Sequence, residues 1–171
     1  MVSDAAAVLT PLSLPLQQVA GLTLAEDIFA ATDIPAFRQS SMDGYAFSYN
    51  EWKQNKKLKI LGEVAAGSNE TFIVSPGNAV RIFTGAAVPA GADTIVIQEK
   101  IKAVNGELII EDEKLQVGAN VRPKGSEIKA GALALENGAV LSPAAIGFFS
   151  RYWYHRCESL SQSFNQYYYN W

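Results

Sequence analysis

Residues 94–111 read TIVIQEKIKAVNGELIIE, and this stretch indicates a chain built mainly from β-strands. Residues 94–98 are rich in β-branched side chains, which favour strands. Alternating runs at 100–104 and 107–111 flank Asn105-Gly106. Because both of these turn residues tolerate positive φ, Asn-Gly between alternating runs is the strongest short signal for a β-hairpin. We therefore predict a strand followed by a hairpin.

Working outward from the hairpin, the same kind of pattern predicts further strands and two short helices. Strands are predicted at 22–28, 58–64, 79–83, 120–122, 132–135 and 139–141. The first helix is predicted between Ser13 and Gly21, and the second opens at Ser142-Pro143, where Ser is a favoured cap and Pro a favoured first residue. Residues 36–50 are predicted to be a loop. The fold class is therefore mostly β with short α-helices (α+β).

The order of these elements predicts three parts of the chain. Residues 1–40 and 126–150 form one mixed α/β module, and residues 41–125 form a β-rich domain inserted into it. Residues 151–171 read RYWYHRCESLSQSFNQYYYNW and hold eight of the 18 aromatic residues, with no strand or helix period. A dense aromatic run on a surface favours aggregation.

We interpret residues 151–171 as an out-of-frame tail. One codon choice for the tail, read one nucleotide later, gives Gly-Ile-Gly-Ile-Thr-Gly-Val-Lys-Val-Tyr-Pro-Lys-Val-Ser-Ile, which resembles ordinary globular sequence. The alternative is a genuine aromatic C-terminal segment that packs on the rest of the chain or on a partner.

Composition excludes several classes of protein. The 171 residues carry 14 Lys+Arg against 17 Asp+Glu, a net charge of −3, and 49% of them are apolar. This balance is too apolar for a disordered chain and too acidic for a general nucleic-acid binder. No run approaches the ~18 apolar residues of a membrane span, and Asp4 stands where a signal peptide would be positive. We expect a soluble cytoplasmic protein with no nucleic-acid or membrane partner.

The only His and the only Cys of the sequence lie in the tail, which limits the kinds of site that residues 1–150 can form. His155 and Cys157 are the single His and Cys of the chain. Residues 1–150 therefore cannot form a His/Cys zinc site, a Ser-His-Asp triad or a Cys nucleophile. The carboxylates, hydroxyls, cations and backbone amides that remain suit hard cations and oxyanions such as phosphate.

Residues 40–46, SSMDGYA, form the first segment that could bind such a ligand. Asp43-Gly44 in a loop can place a carboxylate beside free backbone amides, as Mg²⁺ or a phosphate-bearing ligand requires. The alternative is a plain Asp-Gly turn with Met42 and Tyr45 packed inward.

Two further segments offer groups for anions. A predicted strand ends in Thr84-Gly85, where a hydroxyl and open amides can hold an oxyanion, although for this segment alone a β-turn followed by a loop is the favoured interpretation. Arg122 and Lys124 flank a glycine turn and suit an anionic ligand, although a solvated turn is the alternative.

Taken together and in this order, these segments resemble the N-terminal half of the MoeA/gephyrin family of molybdopterin molybdenumtransferases. The likeness covers roughly residues 10–150. It rests on the strings Leu24-Ala25-Glu26-Asp27-Ile28, Asp33-Ile34-Pro35-Ala36-Phe37, Ser41-Met42-Asp43-Gly44-Tyr45-Ala46, Ile82-Phe83-Thr84-Gly85-Ala86 with Pro89 and Gly91-Ala92-Asp93, and Asn120-Val121-Arg122.

The resemblance implies a function in molybdenum cofactor biosynthesis. The family inserts molybdenum from molybdate into adenylylated molybdopterin (molybdopterin-AMP), with Mg²⁺ and release of AMP. The pterin itself supplies the dithiolene sulfurs, so no protein thiol is needed. The implied fold is an elongated module with a barrel-like insert, and the implied partners are a second copy in a homodimer and other proteins of the cofactor pathway.

The same resemblance assigns roles to particular residues. It makes Asp43 and Thr84 the catalytic acid and hydroxyl. The implied substrate-binding residues are Ser41, Gly44, Gly85, Arg122 and Lys124. Where the family commonly shows Gly-Glu-Asp-Ile, this chain has Gly125-Ser126-Glu127-Ile128, so Glu127 stands at the position of the family acid and is the metal candidate.

Family members are longer, and they add an α/β domain and a C-terminal β domain. We therefore expect the 171 residues to form one wall of the site and to be inactive in the transfer when alone. Two alternatives stay open. One is a non-enzymatic dimerisation or scaffold fragment of the cofactor pathway, and the other is a small β-rich ligand-binding module whose likeness to the family is coincidental.

Overall fold

The computed structural model describes residues 11–68, 72–152 and 162–165. These residues fall into two compact units. One comprises the chain up to Thr32 together with the chain from Ile128 onward, and the other is Asp33–Glu127. The mostly β fold with short helices is confirmed. The barrel-like, inserted character of residues 41–125 stays a prediction.

A six-stranded sheet organises the unit Asp33–Glu127. Its strands, in spatial order, are β8 (Thr94–Ile97), β5 (Gly44–Phe47), β7 (Asn78–Ile82), β6 (Leu58–Val64), β10 (Glu107–Ile110) and β9 (Ile101–Val104). Neighbouring strands are antiparallel except β6 and β7, which are parallel. A separate two-stranded ladder in this unit pairs β4 (Gln39–Ser40) with β11 (Val121–Arg122).

The patterned strands of this unit lie where the sequence predicts them. β6, β7 and β8 match the predicted strands, and β9 pairs with β10 as the predicted hairpin. Asn105 has φ 52° and Gly106 has φ 79°, so both turn residues adopt the positive φ that the Asn-Gly signal anticipates.

The predicted loop over 36–50 is wrong, because it contains β5, a strand buried at every position. β5 pairs with β7 and β8 along its two edges, and hydrophobic clusters bury the side chains on both of its faces. A strand covered on both faces shows no alternation of apolar and polar residues. Only four residues separate the turn-forming Asp43 from polar Ser48, and so short a run gave no periodic signal.

Helix α1 (Tyr49–Asn55) begins in the same stretch and is capped from a distance. The side chain of Ser48, at the N-cap position, makes no capping hydrogen bond. Asp93 Oδ1 instead accepts the Tyr49 N–H at 2.9 Å and the Thr94 hydroxyl at 2.7 Å. The residue that satisfies this helix terminus is therefore invisible to local sequence patterns.

The two faces of the six-stranded sheet carry separate hydrophobic clusters. Tyr45 and Phe47 of β5 pack on one side with Trp52 of α1. Ala46, between them in sequence, packs on the other side with Val80 and Ile82 of β7. Burying a large apolar side chain contributes about 1.5–3 kcal/mol, so both faces hold β5 in place.

The other unit has shorter elements than the sequence predicts. The predicted first helix is a 3-10 turn at Leu16–Gln18, preceded by β1 (Leu12–Leu14). The Ser13 cap is therefore wrong, because Ser13 lies inside a strand. The predicted strand over 22–28 is divided into β2 (Thr23–Leu24) and β3 (Ile28–Phe29) by a bend.

The C-terminal part of this unit agrees better with the sequence. β12 (Leu133–Leu135) pairs with β3, and α2 (Pro143–Tyr152) begins at the predicted proline. Ser142 Oγ accepts the Ala145 N–H at 3.2 Å, which is the predicted cap. The core of this unit consists of Val19, Leu24, Ile28, Ala30, Leu141 and Phe149.

One strand of the tail is described. β13 (Gln162–Asn165) lies between β1 and β2 in a three-stranded sheet. Residues 153–161 and 166–171 lie outside the described part of the chain, and the out-of-frame interpretation stays a prediction. Among the described helices, none combines the length and apolar character that crossing a bilayer takes.

Candidate functional site

The loop before β5 is held by backbone hydrogen bonds that fix the direction of Asp43. The Ser41 N–H and the Ser41 hydroxyl both donate to the carbonyl oxygen of Asn120, each at 3.0 Å. The carbonyl oxygen of Asp43 accepts the Gln98 N–H at 3.1 Å. The loop is therefore anchored on both sides of the Asp43 side chain.

A second turn, after β7, lies against this loop. The Ala86 N–H donates to the Phe83 carbonyl at 3.0 Å, and Gly85, third of the four turn residues, has φ 83°. That position of a type II turn requires positive φ, which explains the glycine. The Gly85 N–H donates to the Ser40 carbonyl at 2.8 Å.

These two turns bring Asp43 and Thr84 into direct contact. Asp43 Oδ1 accepts the Thr84 N–H at 2.8 Å and the Thr84 hydroxyl at 2.8 Å. The two residues are 41 positions apart in sequence. Both hydrogen bonds go to the same oxygen, so Oδ2 has no hydrogen-bond partner within the described part of the chain.

The environment keeps the Asp43 carboxylate ionised. The Thr84 N–H and then the Thr84 hydroxyl lower the pKa of Asp43 below its usual 3.8, and the positive charge of Arg81 adds to this effect. Hydrogen bonds to the charged form favour that form. An exposed carboxylate that is charged at neutral pH and has one open oxygen can bind a cation or orient a donor group.

Gly44 has a packing reason to be glycine. A Cβ at this position would collide with the backbone carbonyl of Val96 on the neighbouring strand. Glycine is therefore what allows β5 and β8 to approach directly after Asp43. The alternative of a plain Asp-Gly turn predicts that Met42 and Tyr45 both pack inward. Tyr45 is buried, but the Met42 side chain is 43% exposed, so only Tyr45 does so.

Of the two predicted cations, Arg122 lies on β11 and Lys124 lies in the turn after it, and each pairs with a carboxylate. Arg122 pairs with Glu127 at 2.9 Å, and Lys124 pairs with Asp33 at 3.4 Å. Arg122 lies opposite Gln39, whose Nε2 donates to the Gly85 carbonyl at 3.4 Å. The ladder thus connects this cationic segment to the turn that carries Thr84 through one intervening strand.

Asp43 is a better candidate metal ligand than Glu127. The Glu127 carboxylate faces Arg122. No group of three or more His, Cys, Asp or Glu side chains is placed to hold a metal ion in the described residues. Mg²⁺ is commonly held by one or two carboxylates together with substrate phosphates, so a single open carboxylate fits it.

Two residues of this region had no role in the sequence prediction. Asn120 has φ 58°, and its Nδ2 donates to the Ile95 carbonyl at 2.9 Å, which fixes the carbonyl that anchors Ser41. Arg81 lies three residues before Thr84 and acts on Asp43 electrostatically. The available signal for Arg81 was its place in a strand leading directly to the Thr-Gly turn.

Residues 1–152 match the model of the MoeA N-terminal region (domain I and II). A molybdopterin molybdenumtransferase of Haemophilus influenzae is 35% identical over 133 residues, covering 78% of this chain and 33% of that protein. Its Staphylococcus aureus (strain Mu50) counterpart is 35% identical over 144 residues, covering 81% of this chain and 34% of that protein.

The solved structures agree with the sequence relatives. A molybdopterin biosynthesis MoeA protein from Pyrococcus horikoshii has a TM-score of 0.76 and 28% identity, covering 91% of this chain and 39% of the other. The chain spans about a third of the length of the curated relatives it matches. The Asp43 and Thr84 turns lie within the matched residues, and the chain belongs to the family defined by the MoeA N-terminal region.

Proposed function

We propose that this chain is part of a molybdopterin molybdenumtransferase of molybdenum cofactor biosynthesis. In this proposal the reaction inserts molybdenum from molybdate into adenylylated molybdopterin, with Mg²⁺ and release of AMP. The observation that carries the proposal is the direct hydrogen bonding of Asp43 and Thr84 in a chain of the MoeA family. These two residues form one wall of the substrate site.

Asp43 is the catalytic carboxylate of this site. Its carboxylate is charged because Thr84 lowers its pKa, and Oδ2 remains open to a ligand among the described residues. Mg²⁺, when bound, neutralises the negative charge of the substrate phosphates and of the developing leaving group. Asp43 would hold that ion, and its fixed orientation spares the reorganisation that a mobile carboxylate would need.

Thr84 acts through Asp43. Its hydroxyl hydrogen and its N–H are both directed at Asp43 Oδ1, so neither is available to the substrate while that contact lasts. We therefore assign Thr84 as a positioning residue, a narrower role than the catalytic hydroxyl that the resemblance implies. Its substitution should move the pKa of Asp43, which a purely structural role elsewhere would not do.

Substrate binding extends to the neighbouring segments. Ser41, Gly44 and Gly85 shape the two turns, and Arg122 and Lys124 offer cations to the phosphates. Both cations pair with carboxylates on the surface, where an ion pair is worth about 0.2–1 kcal/mol. A multiply charged phosphate can therefore displace these pairings at small cost.

The 171 residues alone should not complete the reaction. They correspond to about a third of the relatives that carry the transferase name. The proposal includes a homodimer, other cofactor-pathway proteins as partners and a cytoplasmic location. Molybdate-dependent release of AMP by the purified 171-residue chain would contradict the proposal that this chain forms only one wall of the substrate site.

Calorimetric titration of the chain with molybdopterin-AMP and Mg²⁺ tests the proposal. Asp43→Asn should weaken binding at least about 10-fold, since a charge-assisted contact contributes about 1.5–3 kcal/mol. Asp112→Asn is the matched control, because Asp112 Oδ1 also accepts a backbone N–H, that of Lys114 at 3.1 Å. Absence of binding, or equal loss in both variants, would contradict the proposal.

A further inference from the structure

Arg81 is an exposed cation to which the proposed function assigns no contact with the substrate. It lies on β7 directly opposite Tyr45 of β5. Across the described part of the chain, its guanidinium makes no hydrogen bond and no ion pair. Because the guanidinium group carries five N–H donors in a rigid fork, such an unpaired group is suited to an anion that accepts two hydrogen bonds.

Phe83 holds this guanidinium in place. The guanidinium carbon lies 5.1 Å from the centre of the Phe83 ring, within the range of a cation–π contact. The two residues are separated by one position, so they lie on the same side of the extended chain. The side chain is therefore oriented before any ligand binds, which reduces the entropy lost on binding.

Arg81 is also next to Asp43. Arg81 pairs with Tyr45 of β5, and Asp43 directly precedes that strand. Asp43 also accepts hydrogen bonds from Thr84, three residues after Arg81. The positive charge of Arg81 helps to lower the pKa of Asp43, although no salt bridge joins them.

Tyr45 adds a second observation at the same place. The residue is 9% exposed, and its hydroxyl has no hydrogen-bond partner in the residues that the structure describes. Buried tyrosine hydroxyls usually have a partner. The hydroxyl of the residue that pairs with Arg81 is thus a hydrogen-bond donor without a partner among the described residues.

We propose that Arg81, supported by Phe83 and Tyr45, forms a binding site for a phosphoryl group beside Asp43. The inference rests on the proposed function, because it names the residue that would receive a phosphate of the same substrate. The positive charge of Arg81 attracts the phosphoryl group. The negative charge of Asp43 repels it, which limits how close to Asp43 the phosphoryl group can lie.

Inorganic pyrophosphate in metal-free buffer tests this site without the pterin. Titration of the 171-residue chain is followed in every variant by the ¹H–¹⁵N resonance of the Thr84 backbone amide, and in the parent also by that of the Arg81 side-chain Nε. Arg81→Gln should weaken pyrophosphate binding about 10-fold or more, with Arg81→Lys intermediate because it keeps charge but loses the fork. Lys59→Gln removes an exposed cation from the adjacent strand and should leave binding unchanged.

The direction in which the charge of Asp43 changes ligand binding gives an independent check of this site. Without metal, Asp43→Asn should tighten pyrophosphate binding because it removes a nearby negative charge, whereas the same variant should weaken binding of molybdopterin-AMP with Mg²⁺. Equal pyrophosphate binding by Arg81→Gln and the parent would overturn the inference. Loss in Arg81→Gln without any binding of molybdopterin-AMP would uphold this site and contradict the proposed function instead.

Discussion

Gly44→Ala tests the close strand contact on which the position of Asp43 depends. A Cβ at this position would lie 2.9 Å from the Val96 carbonyl carbon and 3.1 Å from the Ile97 Cα. These are backbone atoms of β8, and β5 is also paired with β7 on its other side. Overpacking costs about 1–3 kcal/mol, and we expect the upper end because no side chain can move aside.

Gly62→Ala is the matched control within the same sheet. A Cβ at Gly62 would meet ring carbons of Phe72 at 3.1 Å, and a partly exposed ring can rotate away. We expect a change in the free energy of unfolding within about 1 kcal/mol.

Urea denaturation followed by the fluorescence of Trp52 measures both effects. Trp52 is buried against Phe47 of β5 and reports this unit. The variants Trp153→Phe and Trp171→Phe provide a background in which Trp52 is the sole tryptophan. The midpoint should fall clearly for Gly44→Ala with little change in slope. Equal stabilities for the Gly44→Ala and Gly62→Ala variants would refute the reasoning.

Three further predictions concern the site, a helix cap and a glycine. Thr84→Val should raise the pKa of Asp43 towards 3.8, measured by carboxyl ¹³C NMR, because it removes the hydroxyl hydrogen bond. A lowered pKa stabilises the fold above pH 3.8 and loses that effect as pH falls through the folded value, so the variant should be less acid-resistant. Asp93→Ala should lower stability by about 1 kcal/mol in urea, since it uncaps Tyr49. Gly147→Ala should stabilise its helix by up to about 1 kcal/mol, seen as a higher melting temperature, because nothing lies within 4 Å of the added Cβ.

The elements that the sequence predicts well are those whose signal is local. Asn105-Gly106 forms a hairpin because the turn residues themselves supply the required φ values. Helix α2 begins at its Ser142 cap because the bond is made three residues away. In both cases the residues that carry the signal also make the stabilising contact.

The missed elements depend on distant partners. β5 is a strand because β7 and β8 pair with its two edges, and its four buried residues contain no alternating pattern. Helix α1 is capped by Asp93, 44 residues away. The predicted helix after Ser13 collapses to a 3-10 turn between two strands, where pairing overrides weak helix propensity.

The same difference between local signals and distant contacts applies to the candidate site. Asp43 and Thr84 each lie in a turn that the sequence predicts as a possible anion or cation site, but their spacing contains no indication that they meet. Only the family resemblance pointed to both together, and the sheet pairing explains the contact through the register of Gly44 with Ile82. Arg81 was missed because a strand cation has no local pattern that separates it from a solvated one.

The most direct test of the central claim follows the two side chains during ligand binding. In an NMR titration of the 171-residue chain with molybdopterin-AMP and Mg²⁺, the Thr84 amide and the Asp43 carboxyl carbon should shift together and saturate at one ligand concentration. Binding that leaves both resonances unmoved, or no binding at all, would contradict the claim that Asp43 and Thr84 line the substrate site.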